Sequence, residues 1–214
     1  MKDIIFIAPP AAGKGTISKI LVDKYQYIHI STGDLLRDAQ KENTELGKQV
    51  AALIDAGKFA PDAIVLELLK NKLNSLTNAA FILDGCPRNI TQVEPVLALF
   101  KAKNIQDYIV IYLDINYAIA LKRILGRLVC PKCGKGYNLN NDKLKPKVNG
   151  ICDNCQTKLI RRNDDNAVTF KTRYDTYLKV TSPLIDYFKK INKLYVIDAN
   201  DSAENIVKQI ERII

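Results

Sequence analysis

Lys14 is the first residue whose surroundings could do chemistry. It stands in Ala8-Pro9-Pro10-Ala11-Ala12-Gly13-Lys14-Gly15-Thr16, between the apolar run Ile4-Ile5-Phe6-Ile7 and the mixed segment Ile17-Ser18-Lys19-Ile20-Leu21-Val22. That order spells strand, tight loop, helix. Such a loop turns several backbone N–H groups toward one point at the positive end of a helix dipole. Gly13 lets the backbone approach an anion, and Lys14 supplies a mobile cation for β- and γ-phosphates, which is the content of a P-loop. Two departures bear on the chemistry. Ala8 and Ala11 stand where the pattern commonly has glycine, so a left-handed backbone at either is strained. Gly15 follows the lysine and the hydroxyl comes one place later, at Thr16, so a simple hydroxyl contact to Mg²⁺ does not follow. The competing reading of this stretch alone is an Ala/Gly-rich turn that binds nothing.

The second constellation is Cys130-Pro131-Lys132-Cys133 and Cys152-Asp153-Asn154-Cys155, two C-x-x-C pairs with 18 residues between them. This spacing points to a four-thiolate structural zinc site. Each pair grips the metal with two sulfurs, and the intervening loop is expected to fold back as a small β ribbon. Four sulfurs leave no open position for catalysis, so the metal's work is to stabilise a lobe too small for its own core. Two disulfides are the alternative, disfavoured in a reducing compartment. A redox pair fits less well, because neither C-x-x-C opens a helix after a strand. Cys86 stands apart and reads as a buried or half-buried thiol. Between Leu128 and Arg162 there are eight Lys or Arg against two Asp. A basic flap of this kind suits a polyphosphate.

The third is a set of cations: Lys14, Arg37, Arg88, Arg123, Arg127, Arg162 and Arg173. Phosphoryl transfer between two anions needs positive charge at donor and acceptor, because the group in flight spreads negative charge. Singly, each is more simply a surface arginine. His29, the one histidine, alternates with Ile28 and Ile30 and reads as a strand residue rather than a ligand or base.

These residues must be held by strands and helices, and the sequence reads as an alternation of the two. Strands are expected at 2–7, 27–30, 79–83, 108–113 and 194–197, each short and rich in Ile, Val, Leu or aromatics. Helices are expected at 14–24, 33–42, 44–55, 61–75, 89–103, 116–126, 165–191 and 202–213. Thr44 is placed to cap one of them, Gly57 to end it, and Pro183 to kink or divide the long one. Alternation of this kind gives a parallel sheet covered on both faces, with ligands beyond the carboxyl ends of the strands. The loop at 8–16 and Asp84-Gly85-Cys86-Pro87-Arg88 both fall there.

At 214 residues, 47% hydrophobic and 26% charged, the chain can bury a full core. No apolar run approaches the ~20 residues of a membrane span, and the strand at residue 2 leaves no room for a leader ahead of it, so the expectation is a cytoplasmic protein. A net charge of +9 suits nucleic acid, a membrane surface or small polyanions. The basic residues do not gather into one run, so no nucleic-acid stripe is expected.

Taken together in this order, the motifs resemble adenylate kinase of the long-lid, zinc-bearing bacterial type over essentially the whole chain. The matching stretches are 8–16, Ser31-Thr32-Gly33-Asp34-Leu35-Leu36-Arg37, Asp84 to Arg88 with Gln92, Gly126-Arg127, the four-cysteine lobe, Arg161-Arg162-Asn163-Asp164-Asp165, and Arg173. The resemblance implies an α/β fold: a P-loop kinase-type, parallel five-stranded sheet flanked by helices, with a small zinc-ribbon-like lid insertion. It divides the chain into a core (1–30, 61–127 and 164–214), an AMP-binding insertion (31–60) and a zinc-binding lid (128–163). It implies reversible transfer from Mg-ATP to AMP, giving two ADP, by a monomer that binds neither nucleic acid nor membrane.

The resemblance also assigns roles. Ala11, Ala12, Gly13, Lys14, Gly15 and Thr16 cradle the ATP phosphates. Arg123 packs on the ATP adenine and Arg127 contacts its phosphates, with further ATP contacts at Gly136, Tyr137 and Asp201. Thr32, Arg37, the backbone at Lys58, Phe59 and Ala60, Gly85, Arg88 and Gln92 form the AMP site. Arg162 and Arg173 bridge the substrates. Asp84 orients water on Mg²⁺, and Asp164 and Asp165 sit at the lid hinge. Cys130, Cys133, Cys152 and Cys155 hold Zn²⁺. Lys14, Asp84, Arg88, Arg127, Arg162 and Arg173 carry catalysis. An amide such as Gln92 can pair a donor and an acceptor on one base edge, as it does with adenine elsewhere. The acceptor is an ionised phosphate, so no general base is needed. Four positions depart from the family besides Ala8: Ala11, Ile17 for a frequent glutamine, Cys86 for an aromatic, and Leu128 for an arginine. Two other readings remain at this point. One is a kinase for UMP, CMP or GMP. The other is a nucleic-acid-binding P-loop or zinc-ribbon protein without phosphotransfer.

Overall fold

The structure is a computed structural model that describes residues 1–42, 44–55, 60–76 and 79–214. In chain order the elements begin with β1 (Asp3–Ile7), α1 (Lys14–Tyr25), β2 (Ile28–Ser31), α2 (Thr32–Lys41), α3 (Glu45–Asp55), α4 (Asp62–Asn74), β3 (Phe81–Asp84) and α5 (Val93–Ala102). They continue with β4 (Tyr108–Asp114), α6 (Tyr117–Gly126), β5 (Arg127–Val129), β6 (Gly136–Asn138), α7 (Ala167–Thr176), α8 (Pro183–Lys190), β7 (Leu194–Asp198) and α9 (Ala203–Ile210). The alternation read from the sequence is therefore present, with shifts of a few residues at the ends.

The central sheet has the order β2-β3-β1-β4-β7, all parallel. Its strands are apolar almost throughout because both faces are covered. In β1 successive side chains point to opposite faces. Ile4 and Phe6 join Leu21, Ile111, Phe170 and Ile206 under α1, α7 and α9. Ile5 and Ile7 join Leu69, Leu83, Phe100 and Phe188 under α4, α5 and α8. Register brings the strand ends level: Asp84, the last residue of β3, lies beside Ser31 on one side and Phe6 on the other. The loops that follow β1, β2 and β3 thus open at one edge.

Local signals set the boundaries. Ser31, Asn116, Asn166 and Ser202 each accept a backbone N–H at the start of a helix. Thr44 Oγ1 accepts from Gly47 N at 3.0 Å, as its place before α3 suggested. Gly57, the expected end of that helix, lies outside the described residues. The long helix expected at 165–191 is divided, but ahead of the proline. A π turn spans Tyr177–Thr181, and Pro183 opens α8 at a position where its missing N–H costs nothing.

The cysteine-bearing lobe differs from expectation in one respect. Its ribbon takes one strand, β6, from the loop between the cysteine pairs and the other, β5, from the segment ahead of the first pair. β5 and β6 pair antiparallel around the first knuckle, Leu128 opposite Tyr137. Beyond β6, the stretch between the pairs holds a 3₁₀ turn at Asp142–Leu144. Isolated bridges at Val129–Ile160 and Ile151–Lys158 close the lobe. The reason is the knuckle itself: Cys130 N donates to Lys135 O at 2.9 Å and Gly134 N to Cys130 O at 3.0 Å, which reverses the chain within six residues. The flanking segments then meet directly.

Candidate active site

Residues 8–13 form the turn between β1 and α1. Gly13 has φ 101° and caps α1 without a side-chain bond, and the first helical turn carries no acidic residue. The early N–H groups of α1 are therefore arranged for an anion. Ala11 has φ 63°, so one of the two alanines does occupy the left-handed region. Ala8 does not. Arg123, from α6, donates to Ala12 O at 3.2 Å and to Asp201 O at 2.8 Å, tying the loop to the turn after β7. Burial holds this guanidinium below its ordinary range.

Lys14 Nζ lies 3.4 Å from Asp84 Oδ1 at the end of β3. Burial alone would raise the Asp84 carboxyl; the Lys14 ammonium and His29 outweigh it and bring it below the usual carboxylate range. His29 is the strand residue expected, yet its Nε2 is 3.8 Å from Asp84 Oδ2 and has no hydrogen-bond partner among the described residues. Its position facing this carboxylate comes from the pairing of β2 with β3, which alternation along the chain does not show.

Gly85 has φ 90°, and a Cβ there would come within 2.5 Å of Thr32 Oγ1 and 3.3 Å of Arg88 Nη2. The glycine is thus required twice, by conformation and by space. Thr32 Oγ1 donates to Asp84 O at 3.3 Å, and Thr181 Oγ1, from the π turn, donates to Arg88 O at 2.8 Å. Thr32, Asp84, Gly85 and Arg88 therefore meet at the strand edge where Lys14 arrives. Gln92 is buried; its Oε1 accepts from Arg88 N at 2.6 Å and its Nε2 donates to Asp62 Oδ1 at 2.6 Å. Asp62 opens α4, within the helix expected at 61–75.

Several of the guanidinium groups feel one another's charge. Burial pushes Arg88 down, Asp84 opposes this, and Arg173 adds to it as a like charge. Burial also lowers Arg162, helped by Arg127 and Arg37. Two aspartates balance these charges from α7's side of the lobe: Asp165, buried, forms a bidentate pair with Arg127, and Asp164 meets Arg173 at 2.6 Å. Arg37 pairs with Asp34 on α2. Like charges that lower one another suit a polyanion between them.

Other sequence-designated residues lie as follows. Gly15 and Thr16 are exposed on the first turn of α1, and Gly136 is exposed on β6. Tyr137 points away from solvent: its Oη donates to Cys152 Sγ at 3.4 Å and accepts from Asp153 N at 2.7 Å. Ala60 packs against the cluster under α4. Lys58 and Phe59 lie outside the described residues. Cys86 is buried and its thiol is pushed up to about 12 by that burial, so it is not a nucleophile.

The four cysteines form a separate centre. Their Sγ atoms all lie within 4.8 Å of one another, and none is in a disulfide. The two knuckles repeat one hydrogen-bond scheme. Cys152 N donates to Thr157 O and Gln156 N to Cys152 O, both at 2.9 Å, as Cys130 does with Lys135 and Gly134. Both fourth-following residues are left-handed, Gly134 at φ 71° and Gln156 at φ 57°. Sulfur also receives donors: Asn154 N and Tyr137 Oη each reach Cys152 Sγ at 3.4 Å. Against the cost of burial, these bonds bring the Cys152 thiol down to about 6, which suits a thiolate ligand. Four convergent sulfurs with donors aimed at them fit a tetrahedral zinc ion. The lobe's buried core is otherwise only Tyr137 and Leu159.

Comparison with known proteins agrees with this geometry. A sequence profile of the adenylate kinase family matches residues 6–193. An adenylate kinase of Petrotoga mobilis is 41% identical over 211 residues, covering 99% of this chain and 96% of the relative. One from Thermotoga neapolitana is 38% identical over 216 residues, covering 100% and 97%. One from Borrelia garinii is 38% identical over 211 residues, covering 98% and 97%. With a P-loop, an arginine cluster at the carboxyl edge of a parallel sheet and relatives matched from end to end, the chain belongs to the adenylate kinase family and catalyses the reversible transfer of a phosphoryl group from ATP to AMP, giving two ADP.

Proposed function

We propose that transfer proceeds by positioning and charge alone, with Mg-ATP and AMP held end to end across the carboxyl edge of the sheet. The observation that carries this reading is Lys14 at 3.4 Å from Asp84, with Arg88 between the charges of Asp84 and Arg173. Residues Ala11 to Thr16 take the phosphates of ATP, with Lys14 on the transferring group. Arg123 lies along the ATP base beside the turn at Asp201, and Arg127 takes the phosphates from the lobe side. Tyr137 has its side chain committed to the cysteines, so its contact with ATP, and that of Gly136, is through the backbone. Thr32, Arg37, the segment at Lys58, Phe59 and Ala60, Gly85, Arg88 and Gln92 receive AMP. Arg162 and Arg173 reach both substrates.

AMP brings an acceptor oxygen that is already ionised, so no side chain has to remove a proton. The work is to align donor and acceptor and to neutralise charge on the moving group. Asp84 holds Lys14 in place, and it would orient water on the Mg²⁺ that arrives with ATP. Water competes with AMP as acceptor, so the insertion at 31–60 closes over AMP and the lobe at 128–163 over ATP. Cys130, Cys133, Cys152 and Cys155 would hold Zn²⁺, which would supply fixed shape to the lobe and no chemistry to the transfer. The enzyme acts as a cytoplasmic monomer on ATP, AMP and ADP, and needs no nucleic acid or membrane.

Steady-state kinetics of Lys14→Met and Arg88→Ala test the roles. Removing a preorganised charge from the transferring or accepting phosphate should lower kcat by about 10²-fold or more. A rise in KM with unchanged kcat in both variants would place these side chains in ground-state binding only.

A further inference from the structure

Asp62, the first residue of α4, is where the AMP-side elements are joined. Its Oδ1 accepts from Gln92 Nε2 at 2.6 Å, and its Oδ2 lies 2.8 Å from Thr91 Oγ1. Asn89 Nδ2 lies 3.3 and 3.2 Å from the two oxygens. Asn89 in turn accepts from Gln92 N at 2.9 Å. A single carboxylate thus gathers the turn that carries Gln92.

The consequence for Gln92 is chemical. A primary amide has two N–H donors and one oxygen with two lone pairs. Asp62 occupies one N–H. Arg88 N occupies one lone pair at 2.6 Å, and the Cys86 thiol stands at 3.7 Å from the same oxygen. Rotating the amide by half a turn would set its oxygen against a carboxylate and its NH₂ against the backbone N–H of Arg88. Both contacts would be repulsive, and Gln92 is 4% exposed, so water cannot relieve them. The amide is locked in one sense. Its second N–H has no partner among the described residues.

We propose that Asp62 is a positioning residue that sets the acceptor base, by locking Gln92 so that it offers an N–H to the base edge. Adenine presents a bare ring nitrogen at N1, an acceptor. Guanine carries a hydrogen at N1, so a locked donor meets a donor. An amide free to turn could serve either base, so preference for AMP over GMP resides in the lock as much as in Gln92. A site built on hydrogen bonds discriminates strongly because the wrong partner leaves buried groups unpaired. The inference rests on the reading of Gln92 as the residue that contacts the AMP base.

The test is Asp62→Asn, of the same shape, which removes the stronger, charged half of the lock and leaves only the Arg88 N–H to orient the amide. Activity is measured on the zinc-loaded enzyme with saturating Mg-ATP and either AMP or GMP, alongside KM for ATP and thermal unfolding. The lock predicts a fall of at least tenfold in the AMP-to-GMP ratio of kcat/KM, with KM for ATP within about twofold of the parent. It also predicts that adding Asp62→Asn to Gln92→Leu lowers the ratio no further, because both act through one amide. If Gln92→Leu abolishes the preference and Asp62→Asn leaves it intact, Asp62 does not set it and the base-reading role of Gln92 stands. If Gln92→Leu itself leaves the preference unchanged, the base-reading role fails and the lock with it. Parallel loss of AMP and ATP binding with early melting would make Asp62 a structural residue and overturn the proposal. Should Asp62→Asn not fold, Asp62→Glu keeps the charge but displaces it, and an unchanged AMP-to-GMP ratio there has the same overturning force.

Discussion

Arg127 and Asp165 form a bidentate pair across the base of the cysteine lobe, the Arg127 Nε 2.7 Å from Asp165 Oδ2, and the Asp165 side chain is fully buried. The first strand of the lobe is thereby anchored to the segment that leaves it. Removing Asp165 leaves a guanidinium without its partner. Because Arg127 keeps 24% of its side-chain exposure, water recovers part of the loss, and Asp165→Ala should cost about 2–4 kcal/mol. That corresponds to a fall in Tm of roughly 5–12 °C for a chain of this size. Asp164→Ala, which breaks the more exposed pair with Arg173, should cost under about 1 kcal/mol. Thermal melts of the two variants check the order; equal effects would contradict it.

Asp84 gives the fold an acid-sensitive contact. Its carboxyl is held below the ordinary range once Lys14 and His29 outweigh burial. A depressed carboxyl stabilises the folded chain above its unfolded pKa of about 3.9, and that contribution is lost as pH falls through the folded value. Asp84→Asn should therefore unfold at a lower Tm than the parent at pH 7, with the gap narrowing below about pH 4. A gap that stays constant from pH 7 to pH 2.5 would show that Asp84 gains nothing from Lys14.

Two backbone positions in the site should respond oppositely. Ala11 at φ 63° bears a Cβ in the left-handed region, while Gly85 at φ 90° faces Thr32 with no room for one. Ala11→Gly relieves about 1 kcal/mol of strain and adds a similar cost in chain entropy, so stability should stay within about 1 kcal/mol. Its kcat/KM should not fall. Gly85→Ala should raise KM for AMP at least tenfold, since it drives Thr32 and Arg88 apart. A large loss of activity in Ala11→Gly would show that the loop needs the Ala11 side chain to hold its phosphate-binding shape.

Metal removal should act on the lobe first. With so few apolar residues buried there, stripping the enzyme with a chelator should lower the Tm and abolish exchange protection of residues 128–163 before that of the sheet. Gln156→Gly should counter part of this. Gln156 adopts φ 57° at the position where the sister knuckle has Gly134, and glycine there relieves about 1 kcal/mol. Loss of sheet and lobe protection together on metal removal would show that the ion supports the whole chain.

Much of this molecule is legible in its sequence, for identifiable reasons. The strands announce themselves because a parallel sheet buried on both faces demands unbroken runs such as Ile4-Ile5-Phe6-Ile7. The P-loop and the cysteine pairs are contiguous in sequence, so their geometry is local. What the sequence hides is tertiary. Asp62 lies 30 positions from Gln92, and only the packing of α4 against the turn before α5 brings them to 2.6 Å. His29 faces Asp84 because β2 and β3 happen to pair in that register. The ribbon draws β5 from ahead of the first cysteine pair because a knuckle reverses the chain more tightly than composition suggests.

The most direct measurement is ADP formation from Mg-ATP by the zinc-loaded enzyme with AMP, GMP, CMP or UMP as acceptor, repeated with Lys14→Met. The account predicts rapid turnover with AMP, at least tenfold poorer kcat/KM with the other three, and loss of most of kcat in the variant. No ADP from any acceptor in folded, zinc-loaded protein, or equal use of all four, would contradict it.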